Sequence, residues 1–263
     1  MNLITKDFST GYKDEKIIKD ISLSLDKSEW LGIIGANGSG KSTFLKGISR
    51  ILKPYSGGAY FNGQNIHLSS TKEIAKAIAV LPQQQRSNLS LTVYELVSLG
   101  RSPHKDWWQL DFNKYDHSKI EQSLELTDMT KFKDKSVANL SGGQRQRAFL
   151  ALALAQNAKT LLLDEPTTFL DINYQLQFLD LLKRLNIEQE IAIMTVIHDV
   201  NLAARYCDRI AVIKEGQLIA IDKPRDVLTK EIMIKAFNVE TSQVETPVGL
   251  QICTIKSCCF QEK

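Results

Sequence analysis

One stretch restricts the fold of this chain more than any other: a glycine-rich loop between an apolar run and a helical pattern. Residues 35–42 fit the spacing G-x-x-x-x-G-K-S without a break. Residues 30–34 form a short apolar run, and residues 42–51 after the loop show helical spacing at Phe44, Leu45 and Ile48. A strand, a glycine loop and a helix in this order form a phosphate-binding unit, so we predict an α/β fold. The flanking strand and helix disfavour the alternative, a glycine-rich turn without a chemical role.

The residues of this loop are Gly35, Ala36, Asn37, Gly38, Ser39, Gly40, Lys41, Ser42 and Thr43. Its glycines allow backbone N–H groups to point at the β- and γ-phosphates of a nucleotide, and the helix that follows presents its positive dipole end. Lys41 supplies a mobile cation that neutralises phosphate charge. We expect the Ser42 hydroxyl on magnesium and Thr43 near the α-phosphate.

Two adjacent carboxylates follow a second apolar run, at Asp164 and Glu165 after Leu161–Leu162–Leu163. A carboxylate at a strand end is projected from the sheet edge, where Asp164 can hold magnesium through water. Glu165 is then well placed to polarise an attacking water molecule as a general base. An Asp-Glu pair that merely ends a strand is the alternative, and the phosphate-binding loop makes it the weaker interpretation.

A second glycine motif, Leu140-Ser141-Gly142-Gly143-Gln144, precedes the helical run 144–156. Ser141 occupies the N-cap position, and we expect Gly142 and Gly143 to leave backbone amides uncovered. A helix N-terminus exposed in this way is an anion site. An ordinary capped helix would be the better interpretation of Ser-Gly-Gly-Gln alone, but the other motifs favour a functional role.

Composition narrows the classes of partner and compartment. The 33 basic and 30 acidic residues of the 263-residue chain are interspersed, and the net charge is only +3, so no nucleic-acid partner is expected. The longest apolar run, residues 148–155, is too short to span a membrane. The first residues lack the pattern of a secretion signal and are typical of a strand. These features indicate a cytosolic location.

The cysteines fit a reducing compartment, and disulfides are not expected. They are Cys207, Cys253, Cys258 and Cys259. The cluster near the C-terminal end has no nearby histidine and matches no common zinc spacing, so we do not expect a metal there.

Along the chain, strands alternate with helical segments. The pattern of residues 1–83 is typical of strands with one inserted helix. Residues 84–140 are typical of a helical insertion, and Thr92 and Glu95 within it match a capping box. Strands return at residues 161–163 and 191–197, with a helix at 172–185 between them and a hairpin at 209–221. Residues 248–255 fit a strand in an otherwise polar tail.

These motifs, in this order, resemble the ATP-binding subunits of ABC transporters over residues 1–240. The resemblance implies a P-loop ATPase core with a parallel sheet, an antiparallel β subdomain and an inserted α-helical subdomain at about 84–140, followed by a short tail at 241–263. It implies ATP and Mg²⁺ as ligands. The family's signature motif falls on residues 140–144, and its magnesium and catalytic carboxylates fall on Asp164 and Glu165.

The resemblance also assigns four further residues. The glutamine that senses the γ-phosphate and magnesium falls on Gln83, which follows Leu81-Pro82. The switch histidine falls on His198, and the aromatic residue that stacks on adenine falls on Tyr12. The aspartate loop, residues 167–171, departs from the commoner Ser-Ala-Leu-Asp but retains Asp171.

Within the family, the sequence is most similar to the ATPases of iron-siderophore, haem and cobalamin importers. Residues 99–104, 144–156 and 167–173 carry this likeness, which selects the subgroup and not the cargo; iron-chelate import is preferred. Trp107-Trp108 fall in a segment that faces the permease in such proteins, although packing within the helical insertion is the favoured explanation.

The resemblance further implies a head-to-tail homodimer on an integral membrane permease, at the cytoplasmic face of the membrane, with an extracytoplasmic substrate-binding protein as an indirect partner. Three alternatives remain: a soluble member of the superfamily that acts on DNA or ribosomes, an exporter ATPase, and a nucleotide-binding regulatory module. The first usually carries long coiled-coil insertions or two ATPase units, and this sequence has neither. Glu165 and His198 argue against the third.

Overall fold

The computed structural model describes residues 3–13, 15–83, 90–105, 111–168 and 170–258. Trp107, Trp108, Phe169 and Cys259, together with the start of the expected helical insertion, lie outside the described residues. Within the described ranges, no helix combines the length and the apolar character that crossing a membrane requires.

Strands and helices are mixed along the described parts of the chain, as in an α/β fold. The strands are β1 (Leu3–Tyr12), β2 (Glu15–Leu25), β3 (Trp30–Ile34), β4 (Pro54–Phe61), β5 (Gln64–Asn65), β6 (Ile78–Leu81), β7 (Thr160–Asp164), β8 (Ala192–Val196), β9 (Arg209–Lys214), β10 (Gln217–Asp222), β11 (Val239–Thr246) and β12 (Gly249–Ser257). The helices are α1 (Lys41–Ile48), α2 (Thr71–Ala77), α3 (Val93–Ser98), α4 (Lys114–Leu126), α5 (Gly142–Ala155), α6 (Ile172–Glu188), α7 (Val200–Tyr206), α8 (Pro224–Val227) and α9 (Lys230–Phe237). Short 3₁₀ turns lie at Leu99–His104, Thr130–Phe132 and Val137–Asn139.

The chain divides into two compact units, one formed by Met1–Leu68 with Ala192–Lys263 and the other by Ser69–Ile191. We call them the loop unit and the carboxylate unit. In the loop unit, β9, β3 and β8 are parallel neighbours and β10 pairs antiparallel with β9. The strand β3 lies centrally and is buried along its whole length, which is typical of a parallel strand covered on both faces.

A separate antiparallel sheet in the loop unit has the order β2-β1-β4-β5. The predicted alternation in β2 is present, because Ile21, Leu23 and Leu25 are buried and the residues between them are exposed or half-buried. The hairpin expected at residues 209–221 is confirmed as β9 and β10. The expected C-terminal strand is β12, and β11 pairs with it antiparallel.

In the carboxylate unit, β6 and β7 pair in parallel, with Leu81 opposite Leu163. The helices α3 and α4, and α5 beyond the expected end of the insertion at residue 140, pack around a buried apolar cluster. Its fully buried members are Val93, Leu96, Val97, Ile120, Leu124, Met129, Val137, Leu140, Ala148, Ala151 and Ala155. The capping box predicted at the start of α3 is confirmed, since Thr92 accepts from the Glu95 amide and Glu95 accepts from the Thr92 amide.

Element boundaries differ slightly from the sequence expectation. The helix α1 ends at Ile48, and Ile51, which is 62% exposed, lies beyond it. The helix α6 continues to Glu188, three residues past the expected end. Helix ends depend on which side chains find tertiary contacts, so periodicity locates them only approximately.

Candidate active site

The glycine loop lies between β3 and α1, where the sequence predicted it. Gly38 and Gly40 have φ angles of 76° and 102°, a left-handed region that favours glycine. Gly40 is also the residue that precedes α1, and a Cβ there would lie 2.7 Å from the Ile18 Cδ1. Glycine is thus needed at Gly38 and Gly40 for the turn, and at Gly40 also for close packing against Ile18. Both requirements fix the position at which α1 begins after the loop.

Lys41 lies across this loop rather than in solvent. Its side-chain Nζ donates to the carbonyl oxygens of Gly35 and Ala36, at 2.9 and 3.0 Å, and the residue is only 5% exposed. The Ser39 hydroxyl is buried and has no hydrogen-bond partner among the described residues. A buried cation, an unmatched hydroxyl and a helix N-terminus together suit a phosphate group.

A second element supports the loop from behind. The amide of Gly216, at the turn between β9 and β10, donates to the Ser39 carbonyl at 2.9 Å, and the Gly216 carbonyl accepts from the Lys19 amide at 2.8 Å. Gly216 has φ 79°, and a Cβ there would lie 1.7 Å from the Ile17 carbonyl oxygen. The sequence indicated only a hairpin turn here, because the contact with the loop joins residues far apart in the chain.

Tyr12 and His198 are the other predicted site residues in the loop unit. Tyr12 is 45% exposed, which suits a stacking surface, and the Lys46 Nζ lies 3.3 Å from its hydroxyl. His198 is exposed and follows β8 by two residues. The next residue, Asp199, is the N-cap of α7, so the backbone around His198 is held by a helix start.

In the carboxylate unit, the structure brings three polar side chains together at the end of β7. The Gln83 Nε2 donates to the Glu165 Oε2 at 2.6 Å, and the Thr168 hydroxyl donates to the same oxygen at 3.1 Å. Asp164, the last residue of β7, is 5% exposed. The sequence predicted roles for Gln83, Asp164 and Glu165 but missed Thr168. Its position three residues after Glu165 is the sequence signal that could have indicated a hydrogen bond between the two side chains.

Glu165 itself has an unusual backbone conformation, with φ 50°. A non-glycine residue in this region carries strain of about 1–3 kcal/mol and is held there by its surroundings. The two hydrogen bonds to Oε2 supply such a restraint. The position of Glu165 after β7, its left-handed backbone and the two donors on Oε2 therefore hold its carboxylate in one orientation.

The signature motif starts α5 with the predicted cap. The Ser141 hydroxyl accepts from the Gln144 amide at 3.3 Å, and the Gln144 Oε1 accepts from the Ser141 amide at 3.2 Å. Gly142 is exposed as expected, whereas Gly143 is half-buried, and a Cβ on it would lie 3.0 Å from the Tyr174 ring. Gly143 is therefore more covered than the sequence suggested.

The aspartate loop lies beside this motif. Asp171 is the N-cap of α6, and its Oδ1 accepts from the Tyr174 amide at 3.0 Å. Because the Tyr174 ring packs against Gly143, Asp171 fixes the residue that covers the signature motif. The candidate residues thus form two sets, with the glycine loop, Tyr12 and His198 in the loop unit, and Gln83, Asp164, Glu165, Asp171 and the signature motif in the carboxylate unit.

Comparison with known proteins identifies the family. A family model described as ABC transporter matches residues 18–168, more than half of the chain. The chain belongs to the ABC transporter family. As an ABC-type ATPase with this fold, it carries the phosphate loop and the signature motif on one chain.

Relatives and solved structures agree with this assignment. The iron(3+)-hydroxamate import ATP-binding protein of Bacillus subtilis (strain 168) is 44% identical over 94% of this ABC ATPase and 91% of its own length. The ferric enterobactin transport ATP-binding protein of Escherichia coli (strain K12) is 36% identical over 91% of this chain and 88% of its own length. A metal-chelate type ABC transporter in an inward-facing conformation superposes with a TM-score of 0.83, at 25% identity, over 96% of each chain. A dimeric bacterial ABC transporter cassette has a TM-score of 0.71, at 30% identity, over 85% of this chain and 99% of its own.

Proposed function

We propose that this ABC ATPase powers an importer, and that the importer takes up iron(III)-siderophore complexes. The printed names of similar proteins support the cargo, because they describe import of iron(3+)-hydroxamate and transport of ferric enterobactin. The observation that carries the hydrolytic assignment is the fixed Glu165 carboxylate, with Gln83 at 2.6 Å from its Oε2.

Nucleotide binding is assigned first to residues of the loop unit. Tyr12 would stack on adenine, and the loop residues Gly35, Ala36, Asn37, Gly38, Ser39, Gly40, Lys41, Ser42 and Thr43 would surround the phosphates. The Lys41 ammonium donates to two carbonyl oxygens of the loop, and these contacts hold its charge beside the expected position of the phosphates.

The residues assigned to Mg²⁺ are Ser42, Gln83 and Asp164. Hydroxyl, amide and carboxylate oxygens suit this cation, and Asp164 lies at the carboxyl end of a buried parallel strand. The bound cation would neutralise phosphate charge. The glycine loop suits the phosphates of a nucleotide, and Gln83 and Asp164 offer oxygen donors of the kind that Mg²⁺ prefers.

The hydrolytic step is assigned to Glu165 as the general base. Its carboxylate would accept a proton from water, while the donors Gln83 and Thr168 hold Oε2 in place. His198 would contact the γ-phosphate. General-base catalysis of this kind contributes roughly 10²- to 10⁴-fold in rate.

The signature motif is proposed to act on the nucleotide of a second copy. Ser141, Gly142, Gly143 and Gln144 would meet the ATP that Lys41 of the partner copy holds, with Asp171 beside them, so that ATP lies in the dimer interface. The exposed Ser141 and Gly142 support this role, since a helix N-terminus with accessible amides binds anions.

We further propose that the homodimer works on an integral membrane permease at the cytoplasmic face of the membrane. The permease would receive cargo from an extracytoplasmic binding protein, and no nucleic acid is involved. We propose residues 1–240 as the ATP-binding domain, with a helical subdomain at about 84–140 and a short tail at 241–263. Co-purification with a membrane permease would support this arrangement over a soluble role on DNA or ribosomes.

The decisive experiment replaces Glu165 by Gln. The variant keeps an oxygen that can accept from Gln83, so ATP should bind with unchanged affinity, while Mg²⁺-dependent hydrolysis falls about 10²-fold or more. Phosphate release and ATP binding are measured in parallel on the chain with its permease. Unchanged turnover in Glu165→Gln would contradict the assigned role.

The cargo is tested separately by transport. A strain that lacks this ATPase should lose growth on iron(III)-hydroxamate as its iron source, and the wild-type chain but not Glu165→Gln should restore growth. Restoration by both chains would exclude ATP-driven import. Normal growth of the deletion strain on several siderophores, with loss of growth on haem or cobalamin, would move the cargo within the subgroup.

A further inference from the structure

The subgroup motif at residues 99–104 has no part in the proposed chemistry, yet it makes several buried contacts. It forms the 3₁₀ turn Leu99–His104 within the carboxylate unit. This turn packs against the carboxyl end of α5, the helix that carries the signature motif at its other end. A Cβ on Gly100 would lie 2.3 Å from the Leu152 carbonyl oxygen, so only glycine permits this approach.

Arg101 lies at the centre of these contacts and is 1% exposed. Its Nη1 donates to the Ala155 carbonyl oxygen at 2.7 Å, and its Nε donates to the Asp116 Oδ1 at 2.9 Å. Ala155 is the last residue of α5, so its carbonyl is one of those that a helix leaves without an internal partner. A cation at this end also complements the negative end of the helix dipole.

The carboxylate that pairs with Arg101 is itself fixed. Asp116 is the third residue of α4 and forms a capping box with Asn113, in which Asp116 Oδ2 accepts from the Asn113 amide. One Arg101 guanidinium therefore joins three segments: the 3₁₀ turn, the start of α4 and the end of α5. Since the planar guanidinium presents donors in fixed directions, it specifies a relative position as well as an attraction.

His104, three residues after Arg101, makes a second contact with the same end of α5. Its Nε2 lies 2.8 Å from the Gln156 carbonyl oxygen, just beyond α5. The Gln156 side chain in turn donates to the carbonyl of Ile78 at 2.8 Å and to that of Ala75. Ile78 starts β6, the strand that leads to Gln83, so the same clamp joins the end of α5 to the strand behind the glutamine.

The two ends of α5 are thus held differently. The amino end carries the reciprocal cap between Ser141 and Gln144, both partly or fully exposed, whereas the carboxyl end is fixed by buried contacts. The helix has 14 residues and is about 21 Å long at 1.5 Å per residue. A small rotation at the clamped end would move Ser141 through a much larger distance.

We propose that Arg101 and His104 are positioning residues for the signature motif. They clamp the carboxyl end of α5, so that its amino end presents Ser141 in one orientation to the ATP of a partner copy. This inference rests on the proposed function, since it requires that the signature motif meets a second chain. The clamp should therefore govern ATP-driven dimer formation and not ATP binding to the chain's own glycine loop.

The test measures dimer formation with MgATP by sedimentation, in a Glu165→Gln background that slows hydrolysis. We expect Arg101→Gln to weaken the ATP-driven dimer about tenfold or more, because two charge-assisted hydrogen bonds are lost. His104→Ala should weaken it about threefold, and His104→Gln, which keeps a donor, should recover part of that loss. ATP affinity of the monomer should stay within about twofold of the parent in every variant.

Two further variants separate positioning from a loss of folding. Arg101→Gln with Asp116→Asn removes both charges, so no buried carboxylate is left without its cation, and the dimer should still be weakened. Arg147→Gln breaks the more exposed pair between Arg147 and Asp128 on the side of α5, at 2.9 Å, and should leave the dimer unchanged. Thermal unfolding shows which variants are folded at the assay temperature.

The outcomes distinguish the two hypotheses. If the parent dimerises with ATP and both the folded double variant and His104→Ala dimerise as tightly as the parent, the positioning role is wrong. Equal weakening by Arg147→Gln would also overturn it, because the effect would then belong to any ion pair on α5. If the parent itself fails to dimerise with ATP, the proposed function fails, and the inference fails with it.

Discussion

The glycine loop and the Glu165 cluster are both needed for the proposed hydrolysis, but they are built in different ways. The loop is made from backbone: Gly38 and Gly40 adopt positive φ, and Gly216 donates its amide to the Ser39 carbonyl. The Glu165 cluster is made from side chains, one of them contributed by Gln83, 82 positions earlier in the sequence. We therefore expect the loop to be sensitive to a Cβ added at its glycines. The Glu165 cluster should instead be sensitive to the loss of a single polar group from a side chain.

The largest effect that this comparison predicts is at Gly216. Gly216→Ala should destabilise the chain by at least about 3 kcal/mol and weaken ATP binding, because a positive φ is combined with a Cβ that would overlap the Ile17 carbonyl. Urea unfolding gives the stability, and a fluorescent ATP analogue gives the affinity.

Gly63 is the matched control for this change. It has φ 83°, but apart from its two neighbours in the chain, no described residue has a heavy atom within 4 Å of the position that a Cβ would take. Gly63→Ala should therefore cost only about 1 kcal/mol and leave ATP affinity unchanged. Equal losses in the two variants would show that the contact with the loop does not matter.

A smaller effect is expected in the side-chain cluster, at Thr168. Thr168→Val removes the hydroxyl that donates to the Glu165 Oε2, so kcat should fall about tenfold while the KM for ATP stays unchanged. Thr168→Ser keeps the hydroxyl and should restore most of the rate. A change in KM without a change in kcat would indicate that Thr168 acts on binding instead.

The smallest expected effect is a pH dependence of the stability of the loop unit. It arises at His67, near the carboxyl end of α1. The His67 Nε2 lies 3.0 Å from the Gly47 carbonyl oxygen and 3.3 Å from that of Leu52, and its Nδ1 is buried without a partner among the described residues. Burial lowers the pKa of His67 below its usual 6.5, with a smaller contribution from the Arg50 charge, although the two carbonyls act to raise it.

The sign of this dependence follows from the lowered pKa. The unfolded chain takes up a proton on His67 more readily than the folded chain, so the stability from His67 is present above pH 6.5 and declines as the pH falls below it. His67→Gln should lose less stability on acidification than the wild type, as measured by urea unfolding at several pH values. A steeper loss in the variant would contradict this sign.

Local signals predicted a large part of the fold and of the candidate site. The capping box at Thr92 and the N-cap at Ser141 were located because each depends only on residues a few positions apart. The buried strands β3 and β7 were located because a parallel strand is apolar on both faces. The end of α1 was placed too far along, since periodicity does not show that Ile51 is exposed.

Other features depended on contacts between distant residues. The motif at residues 99–104 was recognised as a mark of the subgroup, but nothing in it indicated that Arg101 is buried against Asp116 and Ala155. The Thr168 donor was missed for a similar reason, because a hydroxyl in a loop has many possible partners.

The sequence by itself determined the chemistry that this chain can perform: a phosphate-binding loop, a carboxylate pair after a strand and a capped signature helix, each specified by residues within a few positions of one another. The tertiary structure decided how these groups are oriented. It placed Gln83 on the Glu165 carboxylate, Gly216 behind Ser39 and Arg101 at the end of α5. The physical reason is that backbone conformation and capping are local properties, whereas hydrogen bonds between distant segments form only once the chain has packed its core.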